Sequence, residues 1–135
     1  MDLATIGDAP KRREDVRFLT GRGAYLDDLP VDGVAHAVVL RSPHEHARIT
    51  ALDARMARAA PGVIAVLTSA EIAADGLKAL RPTVEANVQT GEPFAFALQP
   101  LLATDTVRFV GEPVALIVAE TPAEALDAAD LVAVE

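Results

Sequence analysis

Val107-Arg-Phe-Val-Gly-Glu-Pro-Val-Ala-Leu-Ile-Val-Ala-Glu120, followed directly by Thr121-Pro-Ala-Glu124, is the stretch that decides the fold class. It predicts a strand over 106–110, a Gly-Glu-Pro turn, an apolar strand over 114–119 and a helix over 122–129. The helix start is marked twice, by Thr121 and Glu124 at capping-box spacing and by Pro122 at the first helical position. A helix that follows a buried strand so closely calls for helices layered on a sheet, an α/β (α+β) domain. Beyond it, Leu131-Val-Ala-Val-Glu135 begins a further strand, expected beside 114–119. A strand that opens there leaves backbone donors unpaired, which predicts a chain cut from a longer one and a tendency to homo-oligomerise through this strand or the N-terminal arm.

Working outward, residues 34–41 carry β-branched side chains over strand length, and Ser42-Pro43 ends that strand because proline lacks a ladder donor. A second extended piece spans 47–52. Asp53 is placed to cap a helix over 54–60, Pro61-Gly62 stops it, and 63–67 reads as another buried strand. Thr68 and Glu71 form a second capping box, predicting a short helix through 72–74 that ends at Asp75-Gly76. Residues 76–103, with Pro82, Gly91, Pro93 and Pro100, predict a long irregular excursion. Excursions of that length are usually functional or flexible, which singles out 86–99 and its Phe94 and Phe96. Residues 1–15 lack periodicity and read as an N-terminal arm, leaving 16–135 as one domain with mixed strand directions and short helices.

The composition narrows the partners. With 51% hydrophobic but only 4% aromatic residues, the core must be aliphatic, and no aromatic platform exists for stacking bases. The formal charge of -8, from 20 acidic against 12 basic residues, opposes nucleic acid and an anionic membrane surface. Cysteine is absent, which removes disulfides, thiolate metal sites and iron–sulfur ligation from these residues and is compatible with the cytoplasm. The first 16 residues show no apolar signal region, and the longest apolar run, 114–119, falls far short of the ~20 residues of a spanning helix.

Four side-chain groups invite a functional reading. His44-Glu45-His46 places two imidazoles on one face of an extended segment, yet a zinc site needs three or four ligands and His36 cannot be brought near from sequence, so a structural role is favoured. Gly21-Arg-Gly23 resembles part of a phosphate loop, but the third glycine position is Leu26 and no strand precedes it; turns are the simpler reading. Asp27 and Asp28 are neighbours that would face apart, which suits turn hydrogen bonds better than a shared proton or metal. Glu112, in the Gly-Glu-Pro turn, can accept turn amides or reach a partner surface. No serine nucleophile motif, Walker loop or helical carboxylate pair is present, so no catalytic, cofactor-binding or metal-binding residue is assigned.

Three segments in order, Arg13-Glu-Asp-Val-Arg-Phe-Leu-Thr-Gly-Arg-Gly-Ala-Tyr-Leu-Asp-Asp28, Arg41-Ser-Pro-His-Glu-His-Ala-Arg-Ile49 and 107–120, resemble the N-terminal part of the molybdenum hydroxylase large subunit. That family comprises aldehyde oxidases, xanthine dehydrogenases and aerobic carbon monoxide dehydrogenases. Arg13-Glu-Asp, Val110-Gly-Glu-Pro-Val-Ala115 and Ala119-Glu-Thr121 are most similar to the carbon monoxide dehydrogenase-like branch. The resemblance implies an α/β hammerhead fold and a parent oxidoreductase. Such a parent oxidises an aldehyde, an N-heterocycle or carbon monoxide with water as oxygen source. It implies molybdopterin in the parent, with iron–sulfur clusters and FAD on partner subunits or domains. The family's molybdenum site, base and glycine-rich cofactor loops follow this segment, so the chain alone is expected to be inert: scaffold, interface and, through Phe94 and Phe96, a wall of the substrate funnel. The alternative is an autonomous interaction or small-ligand module sharing the fold.

Overall fold

The computed structural model describes residues 12–81, 90–92 and 98–135. The chain divides into two compact units, before and after Gly33. In the first, helix α1 (Asp15–Leu19) is followed by a bend at Gly21, whose φ of +69° suits glycine. Phe18 stacks on Tyr25 with ring centroids 6.0 Å apart, and the Arg17 guanidinium lies over the Phe18 ring at 4.9 Å. A 3-10 turn (Leu26–Asp28) follows, held by the Asp28 carboxylate accepting the Tyr25 amide at 2.9 Å.

The second unit holds the sheets. In chain order it runs β1 (His36–Arg41), β2 (Ala47–Arg48), β3 (Leu52–Asp53), α2 (Arg55–Arg58), β4 (Val63–Leu67), α3 (Ser69–Ala74), β5 (Thr106–Val107), β6 (Pro113–Ala119), α4 (Pro122–Asp130) and β7 (Ala133–Val134). β6 is the centre of a three-stranded sheet, β1-β6-β4, and two small sheets pair β2 with β5 and β3 with β7. α4 packs across β1 and β6, and α2 packs on β4 and α4. The core between them is built from small aliphatics: Ala57, Ala115, Ile117 and Ala128 are each 0% exposed, with Val66 and Val132 beside them. Alanines on both α4 and β6 let helix and sheet approach closely, as an aromatic-poor chain requires.

The local signals in the sequence act as expected. Thr68 Oγ1 accepts the Ala70 amide while Glu71 Oε2 takes the Thr68 amide at 2.7 Å, the reciprocal box that starts α3. Thr121 Oγ1 accepts the Glu124 amide at 3.2 Å with Pro122 at the first turn of α4. Asp53 belongs to β3, but its carboxylate still takes the Arg55 amide at 3.0 Å where α2 begins.

Three expectations are corrected. The strand over 106–110 stops at Val107, because the Arg108 amide turns to the Glu112 carboxylate instead of a neighbouring strand. The strand after α4 pairs with β3, not with β6: Val134 lies opposite Leu52, the Thr50 amide donates to the Glu135 carbonyl at 2.8 Å and the Glu135 amide to Ala51 at 2.9 Å. The flanks of β6 are already taken by β1 and β4. The expected mixture of strand directions gives way to antiparallel pairing in every sheet of the described residues. Phe94 and Phe96, with most of 86–99, lie outside the described residues.

Candidate functional site

The Gly-Glu-Pro turn and the Ser-Pro-His segment, far apart in sequence, are joined in space. The Ser42 amide donates to the Glu112 carbonyl at 3.0 Å, and the Gly111 amide donates back to the Ser42 carbonyl at 2.8 Å. Arg41 Nη1 donates to the Gly111 carbonyl at 2.9 Å. Ser42 is buried, and its hydroxyl accepts the His44 amide at 3.0 Å, turning the chain at the end of β1. Gly111 takes φ +89°, a conformation that a side chain would strain.

Glu112 is 3% exposed. One carboxylate oxygen receives the Arg108 amide, and the other lies 3.7 Å from Arg108 Nη1, whose guanidinium also reaches the Thr106 carbonyl at 2.8 Å. A carboxylate so engaged holds a turn; it has no free face toward a substrate. Of the two roles weighed from sequence, the described contacts are those of turn amides.

Beside this junction, a cleft of about 270 Å³ opens between the end of β1, β2 and β7, with His44 on its rim and Leu40, Ile49, Val114 and Val132 among its lining. The lining is mainly aliphatic, and no set of three His, Cys, Asp or Glu side chains gathers to hold a metal anywhere among the described residues. His36 opens β1 while His44 lies past its far end, so the strand separates them. Gly21 and Gly23 follow helix α1 and precede only the three-residue 3-10 turn, with no strand before them as a dinucleotide loop requires, and a side chain at Gly23 would meet Phe18 Cδ1 at 2.8 Å. Asp28 holds its turn as described above, and the side chain of Asp27 lies outside the described residues.

Sequence reasoning singled out Glu112 but missed Arg108, Arg41 and Ser42 as the groups organised around its turn. The available signal was a serine before proline at a strand end, a polar residue that becomes buried only when a remote turn supplies its partners.

The aldehyde oxidase and xanthine dehydrogenase a/b hammerhead domain model matches residues 20–135. The chain is 49% identical over 130 residues to the nicotine 6-hydroxylase large subunit of Paenarthrobacter nicotinovorans, covering 96% of this chain and 15% of that protein. It is 38% identical over 133 residues to the carbon monoxide dehydrogenase large chain of Afipia carboxidovorans, covering 98% of this chain and 15% of that protein. Quinoline 2-oxidoreductase from Pseudomonas putida 86 superimposes with a TM-score of 0.78 at 46% identity, over 96% of this chain and 16% of that one. This chain therefore spans about a sixth or less of the length of these relatives, and no described helix is long and apolar enough to cross a membrane. The chain belongs to the aldehyde oxidase and xanthine dehydrogenase family, and its fold is the α/β hammerhead domain of those molybdenum hydroxylases.

Proposed function

We propose that this chain is the N-terminal scaffold and interface domain of the large subunit of a molybdopterin-dependent oxidoreductase of the cytoplasm. The observation that carries the reading is its near-complete alignment with a small fraction of large subunits such as nicotine 6-hydroxylase. The parent oxidises a substrate with water as oxygen source, and among the family's substrates an N-heterocycle is favoured. The two relatives of highest identity described above are named for nicotine and quinoline, while the carbon monoxide dehydrogenase chain is 38% identical.

The reading that the cofactor is held elsewhere is supported by the buried Glu112, which is committed to its turn. Molybdopterin belongs to the remainder of the large subunit, with iron–sulfur clusters and FAD on partner subunits or domains. No catalytic step is assigned to this chain. Its contribution is to bring the Ser-Pro-His and Gly-Glu-Pro segments into one rigid junction and to present surfaces to the rest of the enzyme. Phe94 and Phe96 are proposed as one wall of the substrate funnel, motivated by two phenylalanines in a chain with only four.

The test is made on the full-length large subunit purified with its partners. Molybdenum content and dye reduction with N-heterocycles, aldehydes and carbon monoxide are measured. Stoichiometric molybdenum and turnover of an N-heterocycle support the reading; a metal-free protein with no oxidase activity sinks it and favours the autonomous module. In the active enzyme, Phe94→Ala with Phe96→Ala should raise KM or change substrate preference with little loss of stability, and unchanged kinetics would defeat the funnel wall.

A further inference from the structure

The central strand β6 is apolar on both faces; one face is fully covered, whereas on the other Val114 is buried but Leu116 and Val118 are only half-buried. Ala115 and Ile117 share a core cluster with Ala128 and Ala129 of α4, and both they and Ala119, on the same face of the strand, are 0% exposed. On the opposite face the register aligns two rows of aliphatic side chains across the sheet. Ala37 of β1, Val118 of β6 and Ala65 of β4 form one row; Val39, Leu116 and Leu67 form the other. None of the six is buried, and none belongs to either core cluster of the described residues. An antiparallel sheet with one face in water normally alternates apolar and polar side chains, whereas this sheet carries no polar residue in those two rows.

We infer that this half-exposed sheet face is the seat of an apolar surface supplied by the rest of the same large-subunit polypeptide, beyond residue 135. The inference rests on the reading of the chain as one domain of a longer subunit. Three observations choose that occupant. The related nicotine 6-hydroxylase large subunit has 85% of its length outside the matched segment, so most of such a polypeptide is available to cover the face. The two rows are aliphatic and free of charge, the character of an obligate interface and not of a transient one. A second copy of this chain would bring together two bodies of net charge -8, which repel. A surface on the same polypeptide meets the face at high effective concentration without that repulsion.

The full-length large subunit is made with the photo-crosslinking residue p-benzoylphenylalanine in place of Leu67 and, in a second variant, in place of Val39; exposed Asp127 on α4 serves as control. After irradiation and digestion, cross-linked peptides are identified by mass spectrometry. The expected result is a link from positions 39 and 67 to residues numbered above 135 at unchanged subunit mass. Links to a second copy, to another subunit or to residues 1–33 or 82–97 overturn the inference, as does a yield no greater than at position 127. Should both variants fail to fold, hydroxyl-radical footprinting of the unaltered subunit decides. Leu116 modified as slowly as the fully buried Ile117 supports the inference, and a rate closer to that of exposed Leu126 overturns it. Molybdenum in the same preparation reports separately on the parent reading, so the two can fail independently.

Discussion

The Glu112 carboxylate receives the backbone amide of Arg108 from four residues earlier, closing the Gly-Glu-Pro turn from within. Arg108 is itself exposed, so its amide can turn to water when the acceptor is removed, and the loss is that of one hydrogen bond to a charged group. Such a bond contributes about 1.5–3 kcal/mol. Glu112→Ala should therefore destabilise the chain by that amount in urea denaturation, while Glu112→Gln, which keeps an amide oxygen as acceptor, should lose less. Equal losses for the two variants would show that the charge, not the acceptor, holds the turn.

Gly62 combines two constraints that can be separated. Its φ is +71°, and a Cβ there would clash with the carboxylate of Glu124. Gly62→Ala should cost about 1–2 kcal/mol from backbone conformation alone, with more from displacing the Glu124 side chain that caps α4 with Thr121. Gly111→Ala meets the same conformational penalty without a neighbour, since nothing lies within 4 Å of its Cβ position. The Gly62 variant should thus have the lower Tm, and adding Glu124→Ala should narrow the gap.

Ala128 of α4 is 0% exposed against the sheet. Ala128→Leu should overfill that contact and destabilise by about 1–3 kcal/mol, read as a lower midpoint in urea. The same substitution at exposed Asp127 should be nearly neutral.

Acid should weaken the ends of α2 and α3. The hydrogen bonds from the Arg55 side chain and amide hold the Asp53 carboxyl at about 2, below its ordinary 3.8, and the Thr68 hydroxyl and amide lower Glu71, aided by Arg58. A carboxylate with a lowered folded-state pKa stabilises the fold fully above its unfolded value. That contribution fades as pH falls through the folded value. For Asp53 the loss runs from 3.8 down to about 2. Comparing Tm across this range for the chain and for Asp53→Asn should show a smaller pH dependence in the variant.

Local signals made part of the fold legible in the sequence. Thr68 with Glu71 and Thr121 with Pro122 mark helix starts through their own backbone neighbours, so α3 and α4 begin where the capping residues place them. The apolar run 114–119 similarly announces β6. What depends on remote partners was hidden: Arg108 leaves the strand for a side chain four residues on, and the last strand finds residues 50–53 instead of β6. The junction of Ser42 with Gly111 and Glu112 was equally silent, though its two segments were each conspicuous and carried the resemblance to the family. The apolar continuity of β6 was visible, but not that Leu116 and Val118 on one of its faces would stay only half-buried.

Among the described residues, every sheet joins a strand that ends before residue 70 to one that begins at residue 106 or later: β1 and β4 to β6, β2 to β5 and β3 to β7. None of the sheets of the described residues can form while only the first hundred residues have left the ribosome. Folding must wait for a late nucleus around β6, and long loops must close before any ladder rewards them, the regime of slow folding. A nascent chain paused before Val114 therefore leaves β1 and β4 open to proteases and chaperones, and protection of the sheets should arrive only once β6, α4 and β7 have emerged.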